Sequence, residues 1–125
     1  MKIETNYELI STFHGTYLAF DRENFTLKHS NNFSEKILPV LYCQSTNRLL
    51  IEDCQNFFTI KNFIKNFHIN LTHHNCSSKI KIFYEEDALI ISQNNKFLRA
   101  RKNEENQFSF NEEYNTWEKF FLIQK

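Results

Sequence analysis

The sequence predicts an all-β domain in which three copies of a four-strand unit close round a pseudo-threefold axis. Three observations point there. The segments 7–20, 47–60 and 87–100 align without a gap at a spacing of 40 residues, as YELISTFHGTYLAF, NRLLIEDCQNFFTI and DALIISQNNKFLRA. Leu9, Leu49 and Leu89 then coincide, as do Ile10, Leu50 and Ile90, and Tyr17, Phe57 and Phe97; such an internal period is the signature of a repeat architecture. Apolar residues also come in short runs rich in Ile, Leu, Phe, Tyr and Thr, punctuated by Asn, Asp, Ser and Gly, which is the pattern of strands and turns. Finally, 125 residues suit one domain at about 100–200 residues each, large enough to bury a core without staples.

In the first repeat, residues 1–44, Tyr7–Thr12 reads as a strand, Phe13-His14-Gly15 as a turn and Thr16–Phe20 as the second strand. A turn at 21–24 leads to Phe25–His29, and a polar loop at 30–36 leads to Ile37–Cys43. The second repeat, 45–85, gives Arg48–Asp53, Asn56–Ile60, Phe67–Leu71 and Lys79–Tyr84. Its middle, IKNFIKNF at 60–67, carries apolar residues at helical as well as strand spacing, so a helical turn is open there. The third, 86–125, gives Ala88–Ser92, Lys96–Arg101, Gln107–Phe110 and Trp117–Ile123. Residues that recur with the repeat should meet near the axis, so Leu9, Leu49 and Leu89, with Leu18, Phe58 and Leu98, are the predicted core triads.

So many tight turns usually need glycine, yet Gly15 is the only one. Asn tolerates the left-handed region better than other residues with a Cβ, which makes Asn24, Asn31, Asn32, Asn62, Asn94, Asn95 and Asn103 the expected substitutes. Pro39 falls inside a predicted strand and should sit at an edge, a bulge or a position whose nitrogen points off the ladder.

Lys plus Arg and Asp plus Glu each total 15, for zero formal net charge. That balance argues against a protein built for nucleic acid, heparin or an acidic membrane, all of which reward a basic field. The start, MKIETNYELI, has no apolar h-region, and no run approaches the roughly 18 apolar residues of a membrane span; a cytoplasmic protein is the expectation. Cys43, Cys54 and Cys76 are odd in number and lack CxxC spacing, so reduced structural thiols are expected.

Three repeats of about 40 residues with four strands each describe a β-trefoil, six strands closing a barrel and three hairpins capping one end. HGTYLAFD at 14–21 and NNKFLRARK at 94–102 resemble the fascin and hisactophilin pattern, in which a short turn precedes Lys-Tyr-Leu-Ser-Ala. NTWEKFFLI at 115–123 is similar to the Trp-Glu-x-Phe-x-Leu that closes fascin repeats. The resemblance runs over nearly the whole chain. It implies a β-trefoil that binds actin, or another cytoskeletal or host protein, without catalysis. It departs from the hisactophilin pattern in two ways: there are five His, and Lys2 follows Met1, so the resemblance carries over no myristoyl anchor. Fascins string four trefoils together, and a single one needs two faces or a dimer to bundle filaments.

Lys96, Arg99, Arg101 and Lys102 place four cations within seven residues and are the candidate binding cluster. On a strand Arg99 and Arg101 share the face of Phe97, and Lys96 and Lys102 take the other. Glu104, Glu105, Glu112 and Glu113 lie near in sequence, and the plainer reading is a solvated, self-compensated face. His14, His29, His68, His73 and His74 read as scattered polar residues at turns and strand ends rather than as a pH-sensitive surface. His73-His74-Asn75-Cys76 is one group where a structural zinc site wants two separated pairs, so no metal is expected. Glu85, Glu86 and Asp87 read as carboxylates facing water, and Trp117, three residues from Phe120, as a core anchor.

No phosphate loop, HExxH or nucleophile elbow is present, so no catalytic residue and no cofactor are expected. A fascin-like module for a protein such as actin is then the leading function. The alternative is a carbohydrate-binding trefoil lectin, for which the repeat offers up to three pockets. The Gln-x-Trp signature of ricin-type lectins is missing, since the lone Trp117 follows Asn115-Thr116. A leaderless cytokine-like ligand shares the fold, but the neutral charge disfavours its heparin-binding branch. A protease inhibitor would bring disulfides and a long exposed loop.

Overall fold

The computed structural model describes residues 7–102 and 107–124. Within them the protein is all-β, with one single-turn 3-10 helix. The strands are β1 (Tyr7–Ser11), β2 (Tyr17–Asp21), β3 (Thr26–Ser30), β4 (Ile37–Cys43), β5 (Arg48–Asp53), β6 (Asn56–Phe63), β7 (Ile69–His73), β8 (Lys81–Glu85), β9 (Ala88–Gln93), β10 (Lys96–Ala100), β11 (Phe108–Asn111) and β12 (Phe121–Gln124). The helical turn, Lys65–Phe67, falls in the segment whose spacing was ambiguous. It displaces the start of β7 from the expected Phe67 to Ile69. The last strand begins at Phe121 and not at Trp117, because residues 115–119 fold into a turn closed by Lys119 N–H on Thr116 O at 3.3 Å.

All strand pairs are antiparallel. One sheet runs β12-β1-β2-β4-β5-β6-β7, with β3 on β2 and β1 also on β4, and the other runs β11-β10-β9-β8. Leu89 and Phe120 join the two through paired backbone hydrogen bonds of 2.7 and 3.0 Å. Buried Gln93 adds a side-chain clamp, accepting Phe63 N–H at 2.7 Å and donating to Phe63 O at 3.1 Å. Pro39 is paired opposite Ala19 on β2 and lies one residue outside the register with β5, which starts at Val40. Its missing N–H costs the β4–β5 ladder nothing.

The turns joining β1 to β2, β5 to β6 and β9 to β10 decide which side chains face inward. Asp53 pairs with Asn56 across Cys54-Gln55, and Gln93 with Lys96 across Asn94-Asn95. In the first hairpin, however, Thr12 N–H reaches Thr16 O at 2.7 Å across three residues, Phe13, His14 and Gly15. The extra residue is accommodated by Gly15 at φ +84°, with nothing within 4 Å of where a Cβ would stand. A one-residue insertion reverses which side chains face inward, because the strand period is two. Ile10 therefore takes the inward place held by Ile51 and Ile91, and all three are buried in the core.

This corrects the predicted triads: Leu49, Leu89, Leu18 and Leu98 are buried core residues, but Leu9 is only half-buried. Phe58 is also outside the core, 37% exposed, and its ring borders an apolar groove with Phe20, Phe25 and Leu71. Asn94 and Asn95 adopt left-handed backbone, as expected, and so do Asn47 and Asn66, whereas Asn24, Asn31, Asn32 and Asn62 do not. Phe25, Cys54, Phe67 and Glu86 occupy that region too, an uncommon conformation for bulky residues. Lys2, Asn103, Glu104 and Glu105 lie outside the described residues. No helix of the protein, among the described residues, is long and apolar enough to cross a membrane.

Candidate functional site

The four candidate cations do not act as one run. Lys96 is exposed at the β9–β10 turn, and Arg101 and Lys102 are exposed beyond the end of β10. Arg99 alone turns into structure. Its guanidinium lies over the Trp117 ring, 4.7 Å from the centroid, a contact worth about 0.5–1 kcal/mol at an exposed site. Its Nε is 3.6 Å from Glu118 Oε2, close enough for attraction but too long for a hydrogen bond, and this nitrogen has no other partner.

Glu118 is the anchor. Its side chain is 2% exposed, and a buried carboxylate must be compensated. Asn115 N–H donates to Oε1 at 2.8 Å and the Asn111 side chain donates at 3.3 Å, while Arg99 supplies the positive charge. These groups, with Thr116, line an open cleft of about 210 Å³.

Trp117 is half-buried, so it is not the core anchor expected of it; that place is held by the fully buried Phe120. The physical reason is the 115–119 turn, which leaves the indole at the surface between Arg99 and His14. The His14 ring meets it edge-on at 4.8 Å. His14 Nε2 is 2.9 Å from Ala100 O and donates, since a carbonyl only accepts. The longer first turn is thus what carries His14 to the end of β10.

His29 backs the same seam. It is 2% exposed, with Nε2 donating to Arg101 O at 2.7 Å and Nδ1 2.8 Å from Thr16 Oγ1, which is 2.7 Å from Thr12 Oγ1. A carbonyl on Nε2 sets the neutral tautomer with Nδ1 as acceptor. Burial lowers the His29 pKa below the ordinary histidine value and nearby His14 adds to this, against the raising effect of the Arg101 carbonyl. His29 is therefore an internal tether and not one of the scattered polar residues at strand ends that the sequence suggested.

The remaining chemistry-bearing residues are dispersed. Glu85, Glu86 and Asp87 are exposed at the β8–β9 turn. Cys43 is buried, while Cys54 and Cys76 are exposed, and all three thiols are free. Among the described residues no group of three or more His, Cys, Asp or Glu side chains is gathered as a metal site. Asn111, Asn115, Thr116 and Glu118 were not singled out by sequence. The available signal was that Asn115, Thr116 and Glu118 flank the lone tryptophan.

No family model matches the chain, and no curated protein does. Among solved structures it is similar to the GlcNAcα1-4Gal releasing endo-β-galactosidase from Clostridium perfringens, with a TM-score of 0.57 at 12% identity. The likeness covers 96% of this chain and 32% of that one. The chain thus spans about a third of that enzyme's length, and at this identity the likeness is one of fold.

Proposed function

We propose that the chain is a β-trefoil module that binds carbohydrate non-covalently through the Arg99–Trp117–Glu118 cleft. The trefoil reading is supported by hairpins recurring as β2–β3, β6–β7 and β10–β11, and by β4–β5, β8–β9 and β12–β1 linking successive repeats. Contacts near a 40-residue spacing add to it: Arg22 N–H on Lys36 O, Lys79 N–H on Lys61 O and Ala100 N–H on Trp117 O, at 2.9, 2.8 and 3.1 Å.

The observation that carries the ligand class is the composition of the cleft. A surface indole is surrounded by a guanidinium, two side-chain amides and a hydroxyl, and the guanidinium is held in place by a buried carboxylate. Fixed hydrogen-bonding groups gathered about a half-buried indole suit a sugar, which has C–H groups and many hydroxyls. The fold likeness to part of an enzyme named for glycan cleavage is consistent with this. The four basic residues favour it less than they favour a protein surface, but Arg99 is already engaged within the chain.

A printed glycan array run beside actin-filament co-sedimentation separates the two classes of partner. Carbohydrate binding predicts retention on the array that Arg99→Ala abolishes, and no pelleting with filaments. Salt-sensitive pelleting with filaments and an empty array would instead support the fascin-like alternative.

A further inference from the structure

We propose that the ligand is a neutral oligosaccharide of at least two sugar units, running from the Arg99–Trp117 cleft across Thr116 into a second cleft beside it. This rests on the carbohydrate reading above. The second cleft, about 250 Å³, is lined by Phe13, Phe121, Lys119 and the Glu85–Asp87 turn, and Thr116 lines both clefts. Aromatic contacts also bridge them: Phe13 meets His14 at 6.2 Å and His14 meets Trp117 at 4.8 Å.

Phe13 and Phe121 are 49% and 36% exposed, and neither belongs to the core. Phe13 is carried by the three-residue turn that the other two hairpins lack. Apolar rings in a wet cleft give a second sugar its C–H contacts, and the neighbouring carboxylates accept its hydroxyl hydrogens. Each cleft is smaller than the about 300–1,000 Å³ of a drug-sized site, so each suits one ring, and a ligand that fills both has two.

Charge selects among such ligands. In the first cleft Arg99 is offset by Glu118. In the second, three carboxylates face one ammonium, that of Lys119. In the second cleft an acidic sugar meets a net excess of like charge, three carboxylates to one ammonium, which disfavours it; a neutral one pays no such penalty.

The test is calorimetric titration of the full chain with galactose, glucose and N-acetylglucosamine, with lactose, cellobiose, N-acetyllactosamine and diacetylchitobiose, and with 3′-sialyllactose. At least one neutral disaccharide should bind about tenfold tighter than its component monosaccharides, and 3′-sialyllactose more weakly than lactose. Phe13→Ala should erase most of the disaccharide advantage, and Phe121→Ala should do the same. Phe13 lies in an exposed turn, so its variant keeps the test decisive if Phe121→Ala lowers the melting temperature. Equal affinity for mono- and disaccharides, silent phenylalanine variants or preference for 3′-sialyllactose would overturn this proposal and leave the carbohydrate reading standing. Binding of none of these sugars would remove both.

Discussion

Ile10→Ala should cost the protein far more than Leu9→Ala, although the ungapped repeat alignment puts Leu9 in the core. Ile10 is fully buried, and its truncation removes three carbons, about 2.4 kcal/mol of transfer free energy at ~0.8 per methylene. The cavity left behind adds to this, and large-to-small core changes cost about 2–5 kcal/mol in all. Leu9 is half-buried, so its truncation should cost about half the transfer value, ~1 kcal/mol, with little cavity. For a domain of this size each kcal/mol moves the melting temperature by about 3–6 °C. Calorimetric or circular-dichroism melts should then show a fall of about 10 °C or more for Ile10→Ala and about 5 °C for Leu9→Ala. If Leu9→Ala were the more damaging of the two, the inward face of β1 and the role given to the first turn would both be wrong.

His29, whose pKa is held below the ordinary histidine value by burial, should make folding weaken in mild acid. The unfolded chain takes up a proton that the folded chain refuses, so this stability is fully present above about pH 6.5 and is lost as pH falls through the folded value. Melts between pH 7.5 and 5 should show it, with a flatter profile for His29→Gln; parallel profiles would contradict the tether. Ellman's reagent should find two prompt thiols, Cys54 and Cys76, and a third, buried Cys43, only in denaturant. Three prompt thiols would place Cys43 at the surface. Arg99→Glu should lower stability as well as binding, by about 1–3 kcal/mol, because Glu118 is left buried beside a second carboxylate; Lys102→Glu, on an exposed residue, should leave the melt unchanged.

The strands were legible because alternation and turn residues are local signals, and the strand positions agree with their predicted ranges to within a few residues at most ends. Inward facing was less legible. It depends on the length of a turn three residues long in one hairpin and two in the others, and an alignment without gaps hides that difference. The clue was Gly15 itself, the lone glycine placed where the backbone needs positive φ. Trp117 misled for another reason: size and hydrophobicity favour burial, but the turn at 115–119 is capped by Glu118 and holds the indole at the surface. Glu118 gave no local sign of burial, since its partners Arg99 and Asn111 come from β10 and β11. Conversely, Lys96, Arg101 and Lys102 are close in sequence and exposed, while only Arg99 reaches the cleft. Sequence proximity identified the segment, and tertiary contact selected the residue.

Trp117 is the protein's only tryptophan and it lines the proposed site, so its fluorescence is the most direct reporter of the central claim. Titrating the protein with a glycan retained on the array should give a saturable change in Trp117 emission, at the same midpoint as the calorimetric isotherm and absent in Arg99→Ala. A glycan that binds by calorimetry while Trp117 emission stays constant would show that carbohydrate is held elsewhere, and that the Arg99–Trp117–Glu118 cleft is not the site.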